Sequence, residues 1–177
     1  MHISEFDYEL PEELIAQEPI EPRDASRLMV LDRAAHSIEH RLFRDILDFL
    51  NPGDVLVLND TRVIPARLHG QRADTGGKLE VLLLRQLNDT DWHVLIGGKR
   101  ADTGMEIRFN DSTLTAIVVD VLEDAERIIR FSQALDGFLE ELGEMPLPPY
   151  IRTPLVDRER YQTIYSRSIG SAAAPTA

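Results

Sequence analysis

The sequence predicts an α/β (α+β) domain into which a small antiparallel β-barrel domain is inserted. Helix and strand patterns alternate at the start of the chain, six short strands separated by turn residues follow, and helix patterns then return. Six short strands at this spacing are typical of a small antiparallel barrel or sandwich. The predicted domains are therefore 1–63 and 146–177, which form two parts of one α/β domain, and 64–145, which forms the inserted barrel.

The first part alternates helix and strand signals. Pro11 and the two glutamates that follow it predict a short helix, because proline and acidic residues favour a helix N-terminus. The elements predicted next are a strand at 28–31, a strand at 37–42, an amphipathic helix at 43–50 that ends at Asn51-Pro52-Gly53, and a buried strand at 54–58.

The middle part has the periodicity of strands. The candidate strands are 66–72, 78–86, 92–97, 105–109, 113–122 and 126–132. The pentapeptide RADTG occurs at 72–76 and again at 100–104. Because Asp and Gly are turn residues and strands flank each copy, we expect two hairpin turns rather than the carboxylate pair of an aspartic protease.

Helix signals return in the last part. Apolar positions from Leu135 to Leu142 line one helical face, and Gly143 stands where a C′ glycine is expected. An extended proline-rich linker at 146–149 follows, and Asp157 is expected to cap a last helix through Tyr165. No closing element is recognisable after that helix, so residues 166–177 are either a frayed tail or the point where the chain is cut short.

Composition and charge limit the classes of function. The net charge is −12, distributed as −8 over 1–58, +1 over 59–108 and −5 over 109–177, which argues against a basic nucleic-acid-binding domain. The chain has no cysteine, no basic leader and no long apolar run, so we expect a cytoplasmic protein without a membrane partner. The five histidines show no metal spacing apart from a strand-like pair, His36 and His40, so no metal site is predicted.

Three segments carry candidate ligand-binding residues. The first, Asn59 to Arg67, places polar side chains directly after a predicted buried strand, where α/β domains commonly bind ligands. The second is the stiff segment 145–151 with Tyr150, and the third is 161–165 with two tyrosines four residues apart on one helical face. Each has an ordinary structural explanation as well: a turn in which Asp60 caps its own backbone, a linker, and helix packing.

Several ordered motifs together resemble one known family. The motifs are FDYELPEELIAQ (6–17), DASRL (24–28), GDVLVLNDTRVIPARL (53–68), PLPPYI (146–151), YQT (161–163) and AAPTA (173–177). In this order they resemble the S-adenosylmethionine:tRNA ribosyltransferase-isomerase family of queuosine biosynthesis, from residue 5 to the last residue. The resemblance implies an α/β domain with an inserted β-barrel, in agreement with the periodicity, and so favours the barrel over the sandwich.

The resemblance also implies a reaction. Such an enzyme moves the ribosyl part of S-adenosylmethionine onto 7-aminomethyl-7-deazaguanine at the tRNA wobble position, which gives epoxyqueuosine and releases adenine and methionine. It implies no metal or other cofactor, because S-adenosylmethionine is consumed as a substrate. The expected partners are S-adenosylmethionine and the tRNA anticodon loop, and a monomer is expected. Members of the family are about twice as long, so the α/β domain is expected to be incomplete.

The resemblance suggests roles for residues of the three segments. Asp60 is the hypothetical base or electrostatic partner, Arg62 a clamp for an anionic substrate group, and Tyr161 or Tyr165 an aromatic wall for the sulfonium or adenine. The further substrate-binding candidates are Asn59, Thr61, Arg67, Tyr150, Gln162 and Thr176. An internal salt bridge between Asp60 and Arg62 is the alternative for that pair.

Two other functions stay open at this point. The barrel alone could bind single-stranded RNA by stacking bases on Trp92, Phe109 and Phe131, although core packing can use all three aromatic side chains. The chain could also be a catalytically silent fragment of the enzyme.

Overall fold

The structure is a computed structural model that describes residues 2–97, 101–109 and 112–174. The chain divides into two compact units, the first formed by Met1–Val57 with Pro148–Pro154 and the second by Leu58–Leu147 with Leu155–Ala177. Within the described ranges, no helix has both the length and the apolar character needed to cross a membrane. The domain boundaries after 63 and 145 stay a prediction.

The first unit is built on one β-hairpin. Its strands, β1 (Arg27–Asp32) and β2 (Ser37–Leu42), are antiparallel and confirm the strands predicted at 28–31 and 37–42. The Asp32 carboxylate shapes the turn by accepting hydrogen bonds from the backbone N–H groups of Ala34 and Ala35, at 2.8 and 2.9 Å. Such a side-chain acceptor is a common way of fixing a turn.

The helices predicted in this unit are present only as 3₁₀ turns. The described turns are Ile3–Phe6, Glu12–Leu14, Arg23–Ala25 and Phe43–Phe49. At the start of the last one, the Asp45 carboxylate accepts the backbone N–H of Leu42 at 3.1 Å. The apolar spacing identified the segment but not the helix type, because seven residues form too few i→i+4 hydrogen bonds to favour an α-helix.

The strand predicted at 54–58 is wrong. These residues have no strand assignment, and Val57 is 75% exposed. An apolar run becomes a buried strand only if a sheet covers it, and no strand of the described chain pairs with this one.

The second unit contains a closed six-stranded antiparallel barrel. In chain order its strands, which follow the short strand β3 (Thr61–Val63), are β4 (Arg67–Arg72), β5 (Lys78–Gln86), β6 (Asp91–Gly97), β7 (Glu106–Phe109), β8 (Thr115–Val121) and β9 (Glu126–Phe131). Neighbouring strands run β4-β5-β6-β9-β8-β7, and β7 pairs back with β4, which closes the sheet. The predicted barrel and its six strands are confirmed.

The barrel core is formed by alternate residues of these strands. The fully buried side chains include Leu68, Val81, Leu83, Val94, Ile107, Leu114, Val118, Ile129 and Phe131. The rings of Phe109 and Phe131 lie 5.5 Å apart inside the barrel, and Trp92 is buried too. Because all three aromatic side chains are in the core, the hypothesis that they form an external platform for stacking RNA bases is wrong.

The two RADTG copies differ in structure. The first forms the predicted hairpin turn between β4 and β5, where the Gly76 N–H donates to the Arg72 carbonyl at 3.0 Å and Gly76 has a φ of 69°. The second begins at Arg100, which lies outside the described residues. Its Asp102 to Gly104 form a turn, but not a hairpin, because β6 and β7 are not neighbours in the sheet.

The chain leaves the barrel through a tight corner. The helix predicted at 135–142 is reduced to one turn, α1 (Leu139–Leu142), and Leu135 packs in the barrel core instead. Gly143 starts β10 (Gly143–Glu144), which pairs with β4. Its φ is −86°, so the predicted C′ role is wrong. Glycine is needed for space, since a Cβ would lie 2.1 Å from the Pro65 carbonyl oxygen.

Gly143→Ala should therefore lower the free energy of unfolding by about 3 kcal/mol, because the added methyl group can only be placed by moving backbone. Gly137→Ala is the matched control, because a Cβ there meets no atom within 4 Å. Urea unfolding followed by fluorescence of the single tryptophan, Trp92, measures both changes. Equal stability of the two variants would contradict the proposed close packing at the corner.

Candidate functional site

The candidate site lies beside a short parallel strand pair next to the barrel. Strand β11 (Ser168–Ser171) lies parallel to β3, with Ser168 opposite Thr61. The carbonyl oxygen of Asp60 accepts the backbone N–H of Arg167 at 2.7 Å and extends the pairing by one step. A frayed tail is therefore the wrong description of residues 167–171, which hold the segment Asp60–Val63 in place.

The segment before β3 turns so that Asp60 faces solvent. The side-chain oxygen of Asn59 accepts the backbone N–H of Thr61 at 3.0 Å, so Asn59 and not Asp60 forms the expected turn. The Asp60 carboxylate is exposed, and no ion pair joins it to any residue in the described parts of the chain. This carboxylate is thus available to a ligand.

Arg62 is held by a carboxylate from a distant part of the sequence. Its guanidinium donates to both carboxylate oxygens of Glu159, one of them at 3.1 Å, and to the Ser166 hydroxyl at 3.3 Å. Hydrogen bonding to Glu159 raises the pKa of the Arg62 guanidinium, which stays charged. The alternative of an Asp60–Arg62 salt bridge is therefore wrong, because Glu159 takes that place.

Gln162 is a buried residue that binds the backbone of β3 at Val63. It is 5% exposed, and its carboxamide accepts the backbone N–H of Val63 at 2.9 Å and donates to the Val63 carbonyl at 2.8 Å. A side-chain amide with this geometry replaces the neighbouring strand that β3 would otherwise need. The contacts support a positioning role for Gln162, and its contact with substrate stays a prediction.

The last predicted helix is a single 3₁₀ turn, Arg158–Tyr161. The cap is confirmed, because the Asp157 carboxylate accepts the Glu159 N–H at 2.9 Å. Gln162 is extended (φ −96°, ψ 153°), so the prediction that Tyr161 and Tyr165 share one helical face is wrong. The Gln162 side chain, directly after the turn, is the one that binds Val63 of β3. Both tyrosines are half-buried in this segment.

Arg67 and Tyr161 bind the segment that leaves the barrel. The Arg67 guanidinium donates to Glu80 and to the Leu147 carbonyl, each at 3.1 Å. The Tyr161 hydroxyl donates to the Pro146 carbonyl at 3.4 Å. These contacts hold the proline-rich segment against β4 and the 3₁₀ turn.

Tyr150 belongs to the first unit, where it lines a separate groove of about 380 Å³. The Gln17 carboxamide donates to the Tyr150 carbonyl at 2.9 Å and accepts the Arg152 N–H at 2.7 Å. Arg152 also donates to Glu12 at 2.9 Å. Thr176, the remaining candidate, lies outside the described residues.

Glu159 and Thr163 are two residues of the site that sequence reasoning missed. Glu159 is the partner of Arg62, and the two lie 97 positions apart in the chain. The Thr163 hydroxyl is buried and has no hydrogen-bond partner among the described residues. Buried polar groups are nearly always paired, so Thr163 joins the candidate list. Its place in the YQT motif was the one available signal.

The barrel and the segment beside it define a β-barrel protein with a solvent-facing carboxylate and a neighbouring guanidinium. A family model described as queuosine biosynthesis protein matches residues 3–177. The chain belongs to this family.

Similar proteins include three that are named S-adenosylmethionine:tRNA ribosyltransferase-isomerase. They are those of Symbiobacterium thermophilum (55% identical), Clostridioides difficile (53%) and Desulforamulus reducens (52%), and each match covers 100% of this chain and 53% of the relative. The chain thus spans about half the length of these relatives. A crystal structure of an S-adenosylmethionine tRNA ribosyltransferase from Thermotoga maritima is 50% identical, over 72% of this chain and 44% of that one, with a TM-score of 0.34.

Gln162→Ala should lower the free energy of unfolding by about 2 to 3 kcal/mol, because it leaves the buried N–H and carbonyl of Val63 without partners. Gln86→Ala, at the exposed end of β5, is the control and should stay within about 0.5 kcal/mol of the original chain. Chemical denaturation measures both. If the two variants lose equal stability, Gln162 does not hold β3.

Proposed function

We propose that this chain is part of an S-adenosylmethionine:tRNA ribosyltransferase-isomerase of queuosine biosynthesis. The observation that carries the proposal is 52–55% identity, over the whole chain, to proteins of that name. The proposed reaction transfers the ribosyl part of S-adenosylmethionine to 7-aminomethyl-7-deazaguanine at the tRNA wobble position, which yields epoxyqueuosine. Because the chain spans 53% of these relatives, we propose that it contributes one part of the active site.

The reaction needs a group that removes a proton from the carbon beside a sulfonium. The positive sulfur makes that proton acidic, so a positioned carboxylate suffices as the base. We assign this role, or that of an electrostatic partner, to Asp60. Two features support the assignment: the carboxylate faces solvent, and the backbone around it is fixed by Asn59 and by the pairing with β11.

The substrate also carries anionic groups, which a guanidinium can bind. Arg62 is the proposed clamp. Glu159 now occupies its donors but is exposed, so a substrate carboxylate can compete with Glu159 for the guanidinium. In this proposal, Glu159 orients Arg62 before substrate binds, and the substrate carboxylate then replaces Glu159 on the Arg62 guanidinium.

The remaining candidates divide by their contacts. Tyr161, Tyr165, Asn59, Thr61 and Thr176 are proposed to contact substrate, as is Tyr150 in the first unit. Arg67 and Gln162 are proposed to act mainly by positioning, since their polar groups bind backbone of the second unit.

The proposed partners are S-adenosylmethionine, consumed as a substrate, and the anticodon loop of tRNA. No metal or separate cofactor forms part of the proposal. We propose that the protein is located in the cytoplasm, where its tRNA substrate is found. We also propose that it is a monomer.

Asp60→Ala should lower turnover about tenfold or more, because a general base contributes at least that factor. The test uses a chimaera in which this chain is followed by the part of the Symbiobacterium thermophilum relative that it does not match. Adenine released from S-adenosylmethionine is measured in the presence of tRNA that carries the 7-aminomethyl base. Asp89→Ala, in the exposed turn between β5 and β6, is the control.

The outcomes separate two claims. Unchanged turnover of the Asp60→Ala chimaera would contradict the catalytic role of Asp60. An unsubstituted chimaera that folds and releases no adenine would contradict the proposed function itself.

A further inference from the structure

Strand β1 is apolar on both faces. Its sequence from Leu28 to Leu31 is LMVL, and the alternation of a strand places Leu28 and Val30 on one face and Met29 and Leu31 on the other. Strands with this composition are typical of sheets that are covered on both sides.

One face of the hairpin is covered within the first unit. The 3₁₀ turn Phe43–Phe49 packs against both strands. The guanidinium of Arg41, which pairs opposite Leu28, lies 5.4 Å from the ring centre of Phe49. Leu28 and Val30 are accordingly half-buried.

The opposite face is exposed within the first unit. It consists of Met29, Leu31, Ile38 and Leu42, which we call the hairpin apolar face. Leu31 lies opposite Ile38, and the positions between these residues on the same face are Arg27 and His40. All four apolar side chains are exposed, and no carboxylate lies on this face although residues 1–58 carry a net charge of −8.

A hairpin with such a face is an incomplete structure. Two strands alone are marginally stable in water, and a contiguous exposed apolar patch marks a surface that binds another surface. None of the described residues of the first unit is buried, so this unit has no core of its own on which the hairpin could depend.

We infer that the hairpin apolar face is the docking surface for the polypeptide that the relatives carry in addition to the half matched here. The matched half includes the hairpin, and the relatives are about twice as long as the match. The partner is therefore an apolar polypeptide surface. A second copy of this chain fits less well, because a symmetric contact buries the Arg27 guanidinium of both copies and this face has no carboxylate to pair with them.

Met29 allows a direct test, because methionine oxidation by hydrogen peroxide depends on exposure. Met29 is 59% exposed, whereas Met105 and Met145 are 9% and 7% exposed and serve as internal references. In the chain alone, Met29 should oxidise about tenfold faster than both references. In the chimaera with the remaining part of the Symbiobacterium thermophilum relative, the Met29 rate should fall about fivefold or more, with the reference rates unchanged.

A matched pair of variants makes the test specific. Leu31→Asp, on the hairpin apolar face, should restore fast oxidation of Met29 in the chimaera. Val119→Asp, at an exposed position of β8, should not. Slow oxidation of Met105 and Met145 in each sample shows that the barrel is folded.

Two results would overturn the inference. One is an unchanged Met29 rate in the chimaera. The other is slow oxidation of Met29 in the chain alone, at a rate that falls as protein concentration rises, together with a dimer detected by light scattering. That result would assign this face to a second copy of the chain.

Discussion

The second unit depends on the pairing of β4 with β7, which closes the barrel. The strands approach each other at Gly70, where a Cβ would lie 3.0 Å from the carbonyl oxygen of Arg108 and 3.0 Å from the Ile107 side chain. Glycine therefore allows the two strands to approach closely at this point, where a larger residue would require its neighbours to shift by a few tenths of an ångström. Without the pairing of β4 with β7, both strands would present unpaired edges, and the apolar interior would open to water.

The same strand also assembles the candidate site. Two strands pair with the same edge of β4. Gly70 to Arg72 pair with β7, whereas Arg67 and Leu68 pair with β10. The chain that enters the barrel and the chain that leaves it are thus neighbours. Arg158 strengthens this arrangement by donating to the Gly143 carbonyl at 2.8 Å. Glu159 and Gln162 are brought to β3 as a result, although about a hundred positions separate them from it in sequence.

The barrel was predictable from sequence because its strands have one face in the core and one in water, which gives a clean two-residue period. The strand predicted at 54–58 was wrong for the opposite reason. It is apolar on both faces, and a fully apolar run shows only that burial is favourable, not which surface provides it. The helix predicted at 135–142 was too long because Leu135 packs in the barrel core rather than on a helical face.

The site was predictable in part. The polar segment Asn59–Arg62 was identified by its composition, and Asn59 turned out to form the turn that exposes Asp60. The partner of Arg62 could not be predicted, since Glu159 pairs with it only after β10 has brought the chain back to β4. Gly143 was misassigned for a related reason, because its neighbour Pro65 is remote in sequence.

Amide hydrogen exchange of the 177-residue chain tests most directly whether its stability resides in the closed barrel. Slow exchange is expected in the barrel strands β5, β6 and β9, whose residues line the core, and fast exchange in the hairpin β1–β2. Exchange in β1 and β2 as slow as in β5 and β6 would contradict this expectation.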